Sequence, residues 1–211
     1  MTERYDRLTD GTEKSDAGEV DVTATLEPAT QARPRLLDLE AQLPEAYKKA
    51  EIVGGALIMS PLLFVHNMTL HRLMTQLDEQ LPPELLYVSD VLTPFPQEDH
   101  EFCPDIAVVP RRVAESNRSV TSPEVIELVV EIISKGTGMV DYEVKTGVYA
   151  RAGIPEYVIF DPYTRQATRY AQPEDGKYRV SKAFDYGEPV QLGTRFPLVF
   201  RTTDLPVDPR H

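Results

Sequence analysis

Tryptophan is absent from this chain and cysteine occurs once, at Cys103. One thiol cannot close an intramolecular disulfide, and a thiolate metal cluster would need more ligands. Long apolar runs are missing too: nothing approaches the roughly 20 residues of a membrane-spanning helix, so no membrane partner is expected. The opening MTERYDRLTDGTEK lacks the basic start and apolar block of a secretory signal. These absences point to a cytoplasmic protein. Bases are scarce against acids, with 22 Lys and Arg, 34 Asp and Glu, and a net charge of −12. Proteins that hold nucleic acid through its phosphates usually carry basic patches, so strong unspecific binding of that kind is not expected. A cleft lined by a few bases, helped by a metal, would still be compatible with such a substrate.

What is present suits one domain with a sizeable core, at 211 residues and 41% hydrophobic composition. Residues 1–34 hold eight acids and four bases without apolar periodicity, and read as a disordered acidic tail before a domain over 35–205. Leu36, Leu37, Leu39 and Leu43 suit a short amphipathic helix. EIVGGALIMSP reads as a strand or hairpin, with Gly54-Gly55 at the turn. From His66 to Leu81, Leu70, Leu73, Met74 and Leu77 share a helical face that Pro82-Pro83 ends. LLYVSDVLTPF, PDIAVVP and EVIELVVEIIS read as strands, with 110–122 a polar loop. A helix over Met139–Ala152 capped by Gly153, the strand EYVIFDP and a hairpin QATRYAQ/KYRVSKAF complete the pattern. The economical architecture is α/β, a mixed central sheet flanked by helices.

Three residues carry the chemistry. Asp105 opens the apolar run Ile106–Val109, Glu131 lies near the end of another, and Lys145 follows on the expected helix. Strand alternation puts Asp105 with Ala107 and Val109, and Glu131 with Val129. Two carboxylates on strands with a lysine behind them can hold a hard divalent cation and activate a water beside it. Each has a plainer reading: Glu131 as a strand-end residue facing solvent, Asp105 as a Pro-Asp turn element, Lys145 in an exposed ion pair with Asp141 four residues earlier.

The stretch VVEIISKGTGMVDYEVKTGVYARAGIPEYVIFDP, with Pro104-Asp105 upstream, resembles the PD-(D/E)XK nuclease superfamily, and within it the Uma-two family of restriction-endonuclease-like proteins. The similarity runs from about Leu36 to Tyr170. It implies a restriction-endonuclease-like core that hydrolyses phosphodiester bonds in DNA with Mg²⁺ or Mn²⁺. Asp105 and Glu131 would bind the metal, with the Ile132 carbonyl as a further ligand, and Lys145 would position the attacking hydroxide. His66, Ser134 and Asp141 are candidates for a catalytic or substrate-binding role. Arg111, Arg112 and Arg118 are candidates for steering the backbone of the substrate, and Lys135 for touching phosphate. Tyr149 and Tyr157 read as packing residues and Cys103 as a bystander.

The chain departs from the family pattern in two places. Lys135-Gly136-Thr137-Gly138 stands where relatives carry Pro-Ser-Thr after the serine, and Ala56 stands where they carry a glutamate. Glu51, five residues earlier, is expected by strand parity to face the other way unless the glycines shift the register. A missing acid would weaken metal binding. Two rivals therefore stay open, a nuclease-fold module that binds DNA or protein without cutting, and a hydrolase of small phosphoesters. Homodimerisation is left open as well.

Overall fold

Gly54 and Gly55 divide the first described segment into two strands. In the computed structural model, which describes residues 50–59, 63–134, 138–193 and 197–209, β1 (Ala50–Val53) and β2 (Ala56–Met59) form an antiparallel hairpin. Its two turn residues have φ of 57° and 80°, a region that residues with a Cβ enter reluctantly. No heavy atom lies within 4 Å of a Cβ built on Gly54, so the demand there is conformational, not steric. Gly54→Asn is therefore expected to be nearly neutral and Gly54→Val to cost roughly 1–2 kcal/mol, read as a shift of the urea midpoint. Equal losses would mean that space is what limits the position. The expected tail and the short helix expected around Leu36 to Leu43 lie outside the described residues.

Helix α1 (Phe64–Gln80) buries His66, Thr69, Leu73, Gln76 and Leu77, and ends at Leu81, ahead of the two prolines. The expected strand LLYVSDVLTPF is split in two. β3 (Leu85–Val88) stops where Asp90 turns at φ 54°, and β4 (Thr93–Phe95) joins a different sheet. Aspartate is among the few residues with a side chain that tolerate this left-handed geometry. β5 (His100–Phe102) and β6 (Ile106–Pro110) follow. The expected polar loop then opens with a short helix, α2 (Arg111–Ala114), closed by the Glu115 amide on the Arg111 carbonyl.

β7 (Leu128–Ile132) is buried along its whole length. The next helical segment is not regular: a π-helical turn, Val140–Lys145, precedes α3 (Thr146–Arg151). β8 (Glu156–Asp161), the hairpin β9 (Gln166–Glu174) and β10 (Lys177–Asp185), and the short pair β11 (Val190–Gln191) and β12 (Val199–Phe200) complete the chain.

The main sheet has six strands in the order β10-β9-β8-β7-β6-β3; β7 and β8 are parallel and every other neighbouring pair is antiparallel. A parallel pair needs a crossover, which the π turn and α3 supply. One face packs Ile106, Val108, Leu128 and Val130 against Leu73 and Leu77 of α1. The other packs Ala107, Val109, Val129 and Ile159 with Val148 and Tyr149 of α3 and Phe95 and Phe102 of the smaller sheet β2-β1-β5-β4. This is the mixed α/β fold expected from the sequence, with the acidic residues on its second face.

Candidate active site

Asp105 immediately precedes β6, and the β6–β7 register pairs Ile106 with Val130. One step further, Asp105 stands across from Glu131, so their side chains share a sheet face. Both are 1% exposed. The Asp105 carboxylate accepts the Ile132 amide at 2.7 Å, and the Asp105 amide points at Glu131 Oε2 at 3.4 Å. His66 enters from α1, with Nε2 at 3.1 Å from Asp105 Oδ2. Its buried Nδ1 has no partner among the described residues.

Lys145 lies at the end of the π turn and is as buried as the two acids. Its ammonium sits 2.9 Å from Glu131 Oε1, 3.0 Å from Glu51 Oε1 and 3.0 Å from Asp141 Oδ1. Burial alone pulls such an amine's pKa down. Asp141, Glu131 and Glu51 together outweigh that and hold it well above the ordinary lysine value. The amine is thus a fixed positive charge. The Phe102 ring lies under it, 5.4 Å from Nζ to centroid. Tyr149 donates its hydroxyl to Glu131 Oε1 at 3.0 Å. Burial, then the neighbouring Glu131, push this phenol well above its usual range, so it remains a neutral donor.

The π turn places this group. Its Asp141 carbonyl accepts the Tyr157 hydroxyl at 3.0 Å and the Thr146 hydroxyl at 3.2 Å. Asp141 and Lys145 fall on one side, four residues apart, facing into the protein. The surface ion pair that a regular amphipathic helix would give is instead a buried one, because the turn lies against the aromatic cluster of Phe102, Tyr149 and Tyr157. Single π turns inside helices often mark functional sites.

For Glu51 the glycines decide the face, as the alternative to simple strand parity allowed. Parity counted along one strand does not carry through a two-residue turn. Glu51 pairs with Ile58 and Val53 with Ala56, and residues directly opposite share a face, so Glu51 and Ala56 lie on the same side of the ribbon. Through the β1–β5 register, which pairs Ile52 with Glu101, Glu51 also stands opposite Phe102, the ring beneath Lys145. Glu51, on the side of the ribbon where an acid at Ala56 would lie, is buried and accepts the Cys103 amide at 2.9 Å. Ala56 sits beside the turn, partly exposed.

Tyr149 and Tyr157 do pack on the sheet, yet their hydroxyls also tie down Glu131 and the π turn. The only sequence signal for this was their place beside the apolar face of the segment that carries Lys145. Ser134 is buried just beyond β7. Lys135 lies outside the described residues. Half-exposed Arg111 pairs with Glu115 at 3.8 Å and donates to the Pro83 carbonyl, and Arg112 is exposed. Arg118 lines a cleft of about 1120 Å³ with Phe95, Glu98, Thr121 and Arg151.

Among the described residues, no three His, Cys, Asp or Glu side chains converge as a metal cage. Mg²⁺ does not require one: it typically uses one or two carboxylates and completes its shell with waters and substrate phosphate. The donor set fits that mode. Glu51, Glu131 and Asp141 are buried around the Lys145 ammonium, and Asp105, buried beside His66, lies across from Glu131, so carboxylate oxygens outnumber the one lysine at this place in the sheet.

The fold is a restriction-endonuclease-like α/β one. The chain belongs to the Uma2 family, described as "putative restriction endonuclease", whose family model matches residues 36–207. No curated protein matches it. Among solved structures it is similar to that of a "putative nuclease belonging to DUF820" from Anabaena variabilis, at 18% identity and a TM-score of 0.64. The match covers 82% of this chain and 97% of that one. At that identity the likeness speaks to fold. Among the described residues no helix is long and apolar enough to cross a membrane.

Proposed function

We propose that this protein is a metal-dependent endonuclease that hydrolyses phosphodiester bonds in DNA, with Mg²⁺ or Mn²⁺ held by Asp105 and Glu131. The observation that carries this reading is the placement of those two buried carboxylates across from each other, one just before β6 and the other on β7, with the Lys145 ammonium 2.9 Å from Glu131. Family membership supports the reaction class. A bound cation would supply Lewis-acid polarisation of the phosphate and a more acidic water.

The protein's own groups do the positioning. The Ile132 amide and His66 fix the Asp105 carboxylate, and Tyr149 fixes that of Glu131. Lys145, held protonated, cannot serve as a general base. Its role is to donate hydrogen bonds and stabilise charge developing on the phosphate. Asp141 keeps that ammonium at the site from within its own helical turn.

Supercoiled plasmid is expected to be nicked by the full chain with Mg²⁺ or Mn²⁺ and left intact in EDTA. Turnover of bis(p-nitrophenyl) phosphate with the plasmid untouched would shift the substrate to small phosphoesters. Metal binding with neither activity would leave a nuclease-fold binding module.

A further inference from the structure

We infer that the Lys145 ammonium and the divalent cation compete for Glu51 and Glu131, so that metal loading converts Lys145 from an internal counter-ion into a donor facing the substrate. The inference rests on the metal-dependent reading above and adds an order of events within that site. An ammonium has three hydrogens to donate. Here three carboxylates enclose them, with Glu51, Glu131 and Asp141 oxygens at 3.0, 2.9 and 3.0 Å from the nitrogen; Glu131 takes a hydrogen bond and an aromatic ring lies beneath the amine. Buried and enclosed by these acids and the ring, the Lys145 ammonium is committed to the protein's own carboxylates and not to a water or a phosphate.

The three anchors are not equivalent. Glu51 comes from β1 and Glu131 from β7, whereas Asp141 belongs to Lys145's own π turn. A doubly charged, hard cation attracts carboxylate oxygens more strongly than an ammonium does, and the two cations repel each other in a dry interior. Arrival of the metal at Glu131 therefore draws oxygens away from Lys145. Asp141 then retains the ammonium beside the site, with hydrogens released toward the incoming phosphate. In this scheme Asp141 is a positioning residue, and Lys145 holds the acids together until the metal replaces it.

The test uses two measurements. In calorimetric titration, Lys145→Met is expected to bind Mn²⁺ at least about tenfold more tightly than the wild type. Removing any nearby positive charge would tighten binding, so the second measurement is made on the wild-type chain. The ¹⁵N–¹H resonance of the Lys145 ammonium, assigned by its loss in Lys145→Arg, is expected to move on Mg²⁺ addition with the calorimetric midpoint. Unchanged or weaker binding by Lys145→Met overturns the competition. So does a resonance unmoved at saturating Mg²⁺ while the wild type gives binding heat, which leaves the nuclease reading standing. Absence of binding heat from both proteins, with an unmoved resonance, overturns the inference and the metal-dependent reading together.

Discussion

Glu131→Gln is expected to lose metal-dependent cleavage by on the order of a thousandfold while the chain stays folded. The swap keeps the volume and removes the charge at the most heavily used carboxylate of the site. Glu131 Oε1 receives both Lys145 and Tyr149, and Oε2 faces the Asp105 amide. A carboxamide has only one oxygen. Whichever way it turns, one set of donors meets its NH₂ group, and the ligand that a hard cation prefers is gone. Asp105→Asn should lose cleavage similarly, although its oxygen can still accept the Ile132 amide. Tyr149→Phe removes one hydrogen bond and leaves the charges, so a far smaller loss is expected. Single-turnover cleavage beside thermal melts separates these cases. Wild-type rates in the Glu131 and Asp105 variants would place the activity elsewhere or in a contaminant.

Strand alternation made legible which neighbours share a face with Asp105 and with Glu131, while the meeting of the two acids was implied by the family resemblance and not by the pattern itself. Each acid lies within or beside an apolar run whose faces can be counted; the antiparallel pairing that sets them opposite one another is seen in the structure. The mixed sheet was legible for the same reason, with β7 and β8 separated by enough helix-forming chain for a crossover. The face of Glu51 stayed open in the sequence because it depends on the Gly54-Gly55 turn, which reverses the chain and pairs Val53 with Ala56. The role of Tyr149 was hidden for another reason: a tyrosine on an apolar face looks like core, and it is core, but its hydroxyl ends at a carboxylate from a different element. The π turn has no local signature in VDYEVK, which reads as ordinary helix. It follows from tertiary contacts of the Asp141 carbonyl and of the buried Lys145. Charge was the weakest guide, since the overall deficit of bases says nothing about one ammonium enclosed by acids.

Lys145→Met is expected to destabilise the metal-free protein by roughly 3–5 kcal/mol, the usual consequence of removing one partner from a buried ion network. The methionine fills the space, so the loss comes from three buried carboxylates that no longer share a cation: Glu51, Glu131 and Asp141. Glu51→Gln in the same background should restore part of the stability, because it relieves repulsion among them. Alone, that change should be destabilising, and a double-mutant cycle by urea unfolding in EDTA reads the difference. The pH dependence follows from the direction of the Lys145 shift. Its pKa in the folded state lies above the ordinary 10.5, so its stabilising contribution is fully present below 10.5 and is lost as pH rises through the higher folded value. The stability gap between wild type and Lys145→Met should therefore stay flat from about pH 8 to about pH 10 and narrow only beyond that. A gap that closes near neutral pH would mean that the amine is easily deprotonated, and Lys145 would then be a candidate general base instead of a fixed charge. A gap below about 1 kcal/mol, the range of exposed ion pairs, would mean that water reaches these four side chains.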